Sequence, residues 1–173
     1  MKSRFFTGII IVLPLLMAFS VMQGLDKNID REIKDVFEVS AYTYEGVKVS
    51  EELQQQLPSR VSQDNFFILK NAGQLLGYAY LDQAPSKTAE FDYLVLFDKN
   101  LKIARTKVLV YREEYGGEIG SRRWLRQFTG KSKPEELDHI AAISGATISV
   151  RSMKKAVQNI LASTEILHKN KVL

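Results

Sequence analysis

The run from Ser144 to Ser149, Ser-Gly-Ala-Thr-Ile-Ser, joins a loop of small residues to the start of a strongly periodic helix. The start of a helix presents free N–H groups and the positive end of the helix dipole, and both favour an anion such as phosphate. Gly145 and Ala146 keep bulk away from the Thr147 hydroxyl. The pattern therefore predicts a phosphate site at Thr147, with the two serines either bonding phosphate oxygens or capping the helix, for which Ser149 is the N-cap candidate.

Residues 143–149 resemble the flavinylation motif of the FMN-binding domain family, which includes the membrane-anchored flavin subunits of Rnf and sodium-pumping quinone reductase complexes. In that family a flavin transferase esterifies the FMN phosphate to the threonine that ends the motif, here Thr147. One position departs from the pattern. The family usually has an aspartate three residues before Ser144, whereas Ala141 stands there. Non-covalent FMN in the same site is therefore the alternative to a covalent bond.

Two further stretches carry the same resemblance. Residues 111–131 resemble the family's loop in which a glutamate and glycines precede a short helix ending in Phe-x-Gly-Lys, and residues 77–79 and 91–98 resemble its central strands. The resemblance thus covers residues 65–162. It implies roles for the charged, glycine and aromatic residues of the first stretch.

These roles are contacts with the flavin. The loop glycines allow close approach to the flavin ring, Arg123 is expected at the reduced flavin or its phosphate, and Lys131 is expected at the ribityl phosphate. Trp124 is expected to stack on the ring, or else to pack in the core while the arginines face water. The alternative for the loop is a simple turn at the end of a strand. The alternative for Lys131 is a position on the surface without a ligand contact. The loop residues are Glu114, Gly116 and Gly117.

The elements that must position these residues follow from periodicity. Apolar residues at helical spacing predict a terminal helix over 150–168 and an amphipathic helix over 25–37 that rises from the membrane. The remaining predictions are short helices over 51–57, capped by Ser50, and 121–129, and strands over 66–69, 75–81, 91–97 and 101–111. Hairpin-linked strands flanked by helices predict an α+β fold with an antiparallel sheet.

The N-terminus carries a targeting pattern. Lys2 and Arg4 precede eighteen uncharged residues, 5–22, which span about 27 Å as a helix. Positive charge on this flank predicts a transmembrane or signal-anchor helix with the domain on the periplasmic side. A cleaved signal peptide and secretion is the alternative. The predicted organisation is an anchor or signal over 1–24, a helical connector over 25–64 and the FMN-binding domain over 65–173.

Composition narrows the chemistry. The chain has no cysteine, which excludes disulfides, iron–sulfur ligation and a c-type haem. Two histidines do not make a metal centre, so no metal ligand is predicted. A net charge of +4 without a basic stripe argues against nucleic acid. Redox chemistry in this chain needs an organic cofactor, and FMN meets that need.

The sequence therefore predicts a membrane-anchored extracytoplasmic flavoprotein that carries electrons through FMN linked to Thr147. Its expected partners are a flavin transferase, a membrane redox protein and the membrane itself. No nucleophile with its base stands out, so no catalytic residue is predicted, and a redox-complex subunit is favoured over a free-standing enzyme. The alternatives are an anchored binding or assembly module that holds FMN non-covalently or not at all, and a secreted enzyme that reduces a small substrate.

Overall fold

The computed structural model describes residues 27–173. An antiparallel sheet of five strands lies at its centre, and each strand pairs with the next along the chain. The strands are β1 (Thr43–Gly46), β2 (Phe66–Asn71), β3 (Gln74–Pro85), β4 (Glu90–Asp98) and β5 (Ile103–Val110). The helices are α1 (Lys27–Phe37), α2 (Glu51–Gln54), α3 (Arg122–Leu125) and α4 (Thr147–Lys169). Three short 3-10 turns cover Gly117–Gly120, Arg126–Phe128 and Pro134–Leu137.

The two faces of the sheet are covered by different helices, because successive side chains of a strand point to opposite sides. One face is aromatic and packs against α4, with Tyr80, Tyr93 and Phe97 fully buried. The other face packs against α1 through Ile29 and Ile33. The architecture is therefore a sheet between two helices, and α4 lies on the aromatic side.

Most predicted elements are confirmed, and the fold class is α+β with an antiparallel sheet. The four predicted strands are β2 to β5, and β3 continues to Pro85, four residues beyond its predicted end at residue 81. Ser50 caps α2, since its Oγ accepts from the Leu53 N–H at 3.2 Å. The prediction that Ser149 is the N-cap of the last helix is wrong, because α4 begins at Thr147 and its N-cap is Ala146.

The segment predicted as a helical connector, residues 25–64, contributes to the domain itself where it is described. It contains β1, which pairs with β2, and its side chains Val47, Leu57 and Val61 lie in the aromatic core. The anchor or signal segment predicted over 1–24 lies outside the described residues. Between Lys27 and Leu173 no helix combines the length and the hydropathy that a bilayer span requires.

Ion pairs fix α1 along β5. Glu32 is 5% exposed, and its carboxylate accepts from Arg105 Nη1 at 2.8 Å and pairs with Lys107 Nζ at 3.1 Å. Asp35 pairs with the same Arg105 nitrogen at 2.5 Å. Burial alone would raise the pKa of Glu32, but the bonds and charges of Arg105 and Lys107 outweigh it and lower the pKa below 4.5.

These ion pairs show which way α1 runs along β5. Glu32 lies beside Arg105 and Lys107, whereas Asn28 and Ile29 share a cavity with Leu109 and Val110. The start of α1 therefore lies at the end of the sheet where β5 finishes.

Substitution of Glu32 tests the ion pairs. Because the folded-state pKa is lowered, charged Glu32 stabilises the fold above pH 4.5, and this contribution is lost as the pH falls below that value. We expect Glu32→Gln to lower the free energy of unfolding by about 1–3 kcal/mol at neutral pH, since both cations stay partly solvated. The difference from wild type should shrink in acid. Urea denaturation at neutral and acidic pH measures it.

Glu165→Gln is the control, because Glu165 is exposed and makes no ion pair among residues 27–173. A loss for Glu32→Gln that is equally large at both pH values would contradict the ion-pair account.

Candidate functional site

The start of α4 leaves backbone donors free for an anion. The first bond of the helix runs from the Val150 N–H to the Ala146 carbonyl at 2.9 Å, so the N–H groups of Thr147, Ile148 and Ser149 have no acceptor within the helix. An Asp, Ser or Thr N-cap would occupy one of them with its side-chain oxygen, but Ala146 has none. Three unused donors therefore lie at the positive end of a long helix, on Thr147 and the two residues that follow it.

The loop that follows β5 closes against this helix start. Gly116 has φ 81°, and a Cβ at this position would lie 2.7 Å from Ala146 Cβ, so glycine is required both for the conformation and for the contact. Tyr111 joins the same two segments, since its hydroxyl donates to the Tyr115 carbonyl at 3.1 Å and lies 3.0 Å from Ser149 Oγ. The Ser149 hydroxyl then donates to Tyr111.

These contacts enclose one side of a cavity of about 440 Å³, here named the Thr147 cavity. Two large apolar side chains line it while remaining unusually exposed, Tyr115 at 78% and Ile148 at 50%. An aromatic ring and an aliphatic chain left open to solvent beside a cavity provide surfaces for a flat apolar ligand. The lining residues are Lys87, Tyr111, Glu113, Tyr115, Gly145, Ala146, Thr147, Ile148 and Ser149.

Glu113 fixes the opposite wall of the cavity. Its carboxylate accepts from Ser86 Oγ at 2.5 Å, from the Thr88 N–H at 2.7 Å and from the Ala89 N–H at 3.2 Å. These bonds, led by the one from Ser86, lower the pKa of Glu113 to about 2. The carboxylate thus stays charged at any ordinary pH and holds the loop that carries Lys87. Lys87 adds a positive charge to the lining of the cavity.

The structure brings together the contiguous part of the predicted site. Gly145, Ala146, Thr147 and Ser149 line the cavity, and Gly116 contacts Ala146 from the facing loop. Ser144, Glu114 and Gly117 are exposed near these segments but do not line it.

Three predicted residues lie elsewhere. Arg123 lines a second cavity that shares no residue with the first. Trp124 is 5% exposed and packs edge-on against Phe128 with ring centroids 5.3 Å apart, which is the core arrangement rather than stacking on a ligand. The backbone of Lys131 bonds Ile103 at the start of β5, about 23 Å from the end of the strand that leads to Tyr111.

Trp124 nevertheless helps to hold the loop that precedes the motif. Its indole N–H donates to the Ala141 carbonyl at 2.7 Å, while the Ala141 N–H donates to Gln127 Oε1 at 2.9 Å. The peptide at this position is therefore held on both sides. Asp138 does not replace the acidic residue that the motif lacks, because it pairs with Lys154, about 10 Å along α4 from Thr147.

Sequence reasoning missed five lining residues, Lys87, Tyr111, Glu113, Tyr115 and Ile148. Ile148 lies within the motif, and its exposed position opposite the buried stripe of α4 was the available signal. Tyr111, Glu113 and Tyr115 lie in the stretch 111–131 that resembles the family's loop, but nothing in that stretch distinguishes them as lining residues. Lys87 comes from a separate segment, and no local pattern marks it.

Residues 88–162 match the model of the FMN-binding domain family. These residues are an FMN-binding domain. The resemblance drawn from the sequence is confirmed, and FMN is the cofactor of the domain. The match contains β4, β5, the loop that carries Gly116 and the start of α4, which together provide nearly the whole Thr147 cavity.

The elements before residue 88 also belong to a known architecture. The crystal structure of Shewanella oneidensis NqrC superposes with a TM-score of 0.56 over 86% of this chain and 91% of that chain, at 13% sequence identity. At that identity the likeness shows the shared fold. No curated protein matches the chain.

The Thr147 cavity fits the parts of FMN. Three free N–H groups and Lys87 suit a phosphate, and Tyr115 and Ile148 suit a flat ring. The volume of about 440 Å³ is in the range of small-ligand sites.

Gly116 and Gly117 provide a matched pair for testing this site. Gly116→Ala places a Cβ against Ala146 in a left-handed conformation, so the loop must move away from the start of α4. We expect bound FMN to fall several-fold. Gly117→Ala meets nothing within 4 Å and should retain it. The flavin absorbance per protein measures both, and equal retention in both variants would contradict the proposed loop contact.

Glu113 and Glu114 provide a second pair. Glu113→Ala removes four hydrogen bonds from residues 86–89, so the amides of Thr88 and Ala89 should exchange hydrogen at least tenfold faster and FMN should bind more weakly. Glu114→Ala should change neither, because Glu114 is exposed and makes no hydrogen bond among the described residues. Hydrogen exchange with mass spectrometry separates the two. Unchanged protection in Glu113→Ala would exclude the role given to this carboxylate.

Proposed function

We propose that this protein is a membrane-anchored, extracytoplasmic electron carrier whose FMN is joined to Thr147 by a phosphoester bond. The observation that carries the proposal is the Thr147 hydroxyl at the first position of α4, inside a cavity lined by unused backbone donors. FMN supplies transfer of one or two electrons when bound. The remaining roles belong to side chains and backbone of this chain.

The chain binds the phosphate and orients the ring. Thr147 Oγ1 would hold the phosphate as an ester, formed with loss of its hydroxyl proton and of the leaving group on phosphorus that the transferase displaces. The N–H groups of Ile148 and Ser149 would donate to the remaining phosphate oxygens. A phosphodiester keeps one negative charge, which the start of α4 stabilises. Lys87 compensates the same charge from the facing loop. Tyr115 and Ile148 would pack against the ring and exclude water from it.

The course of α1 supports a redox partner in the membrane. The start of α1 lies at the Val110 end of β5, and β5 continues from there into Tyr111 and the Thr147 cavity. The chain thus joins the domain at the end of the sheet that carries the flavin site. An anchor in residues 5–22 would place the flavin on the membrane side of the domain, within reach of a membrane-embedded partner.

A second form of the function has its own support in Ala141. The family motif has an aspartate at the position of Ala141. In this chain the backbone of Ala141 is hydrogen-bonded to the side chains of Trp124 and Gln127. A flavin transferase that needs the carboxylate would leave Thr147 unmodified. The domain would then hold FMN without a covalent bond, or serve as an anchored binding or assembly module.

Intact mass of the full chain, expressed with a flavin transferase, tests the covalent bond. We expect a gain equal to FMN minus water, located on the peptide that contains Thr147. Thr147→Ala should abolish the gain because no hydroxyl remains, whereas Ser40→Ala, the control, removes an exposed hydroxyl outside the motif and should keep it.

The other outcomes are equally informative. Yellow protein that releases FMN on denaturation would favour non-covalent binding, and Ala141→Asp should then restore the mass gain. Colourless protein both with and without the transferase would contradict the flavin carrier and leave the binding module.

A further inference from the structure

A second cavity, of about 470 Å³, lies where β5 faces α1 and α3. Arg105 and Lys107 project from β5, and three arginines project from α3 and the turn that follows it. It shares no lining residue with the Thr147 cavity. We name it the arginine cavity, after Arg105, Arg122, Arg123 and Arg126.

Positive charge in the arginine cavity exceeds the carboxylates available to compensate it. Glu32 and Asp35 pair with Arg105, and Glu32 also pairs with Lys107. Within residues 27–173 the other three arginines form no ion pair. The charge of Arg122 only adds to the effect of Arg105 in lowering the pKa of Asp35. Five cations against two carboxylates leave three positive charges uncompensated.

The walls that carry these cations are held in place. Glu32 is buried and holds Arg105 and Lys107. Thr106 Oγ1 donates to the Leu125 carbonyl at 3.1 Å, which joins β5 to α3. Trp124 and Leu125 are buried in the core. The arginines on either side of these two residues therefore face outward from a fixed base.

We propose that the arginine cavity binds the phosphate group of an anionic ligand other than FMN. Guanidinium groups match phosphate because they donate parallel hydrogen bonds in a planar fork. A phosphate monoester carries close to two negative charges at neutral pH, which fits a cavity with three in excess. A cavity of about 470 Å³ is in the size range of sites for small ligands and headgroups.

Two sources of phosphate reach this position. One is a dissolved phosphate compound. The other is an anionic lipid headgroup, because with the proposed membrane anchor before α1, Glu32 at the cavity lies only about 8 Å along α1 from Lys27. The chemistry recognised is the same in both cases, and the experiment distinguishes them.

Calorimetric titration of the full chain, loaded with FMN and held in neutral detergent, tests the proposal. The probes are sodium pyrophosphate, dihexanoyl phosphatidic acid and, as the uncharged comparison, dihexanoyl phosphatidylcholine. We expect saturable binding of the first two and none of the third. Tighter binding of pyrophosphate identifies a dissolved ligand, whereas tighter binding of phosphatidic acid identifies a lipid headgroup.

Charge variants locate the binding. Arg123→Gln with Arg126→Gln should weaken binding about tenfold or more, because each lost guanidinium removes charge-assisted hydrogen bonds. Replacement of both by lysine keeps the charge and should give an intermediate loss. Lys48→Gln with Lys169→Gln removes two exposed charges elsewhere and is the matched control, expected to bind as wild type.

Three results would overturn the proposal. They are the absence of saturable heat with both phosphate probes, equal weakening by the control pair, and unchanged affinity in the glutamine pair. The FMN mass on Thr147 is measured in the same samples, so a failure here is separate from a failure of the flavin proposal.

Discussion

Burial of one stripe of α4 against the aromatic face of the sheet is the constraint on which the rest of the structure depends. Met153, Val157, Ile160 and Leu161 are fully buried, and each contributes about 1.5–3 kcal/mol by leaving water. With the rotation of α4 fixed in this way, Ile148 lies opposite the buried stripe and must face outward. Thr147, one residue earlier, lies at the edge of the exposed side and is exposed as well. The exposure of the reactive hydroxyl is thus set by packing that lies several turns away.

Local sequence pattern was enough to predict the helices, the strands β2 to β5 and the contiguous half of the site. The buried stripe of α4 is a helical period, and the residues from Gly145 to Ser149 stand next to one another in the chain. The opposite half could not be predicted, because Lys87, Tyr111 and Glu113 reach the cavity only through strand pairing and the bonds of one carboxylate. β1 was not predicted for a similar reason, because its four residues pair with a strand more than twenty positions later in the chain.

The wrong N-cap has an instructive cause. Ser149 has the side chain that favours an N-cap, but its hydroxyl is engaged by Tyr111, 38 residues earlier. The Ser149 hydroxyl therefore makes a tertiary hydrogen bond instead of capping the backbone, and α4 begins two residues earlier, at Thr147. Tertiary contacts also decide the position of Trp124. Its ring packs in the core and its indole N–H donates to the Ala141 carbonyl, so the ring does not stack on a ligand.

The uncapped start of α4 has a consequence for the protein before it acquires a cofactor. A helix whose first turn lacks a side-chain cap gives up about 1 kcal/mol at that end. A phosphate seated on the N–H groups of Thr147, Ile148 and Ser149 would supply the missing acceptor. The cofactor is then also a component of the secondary structure, and its arrival completes the helix. The empty form would fray at the residue that awaits modification, and an open first turn gives a modifying enzyme access to the Thr147 hydroxyl.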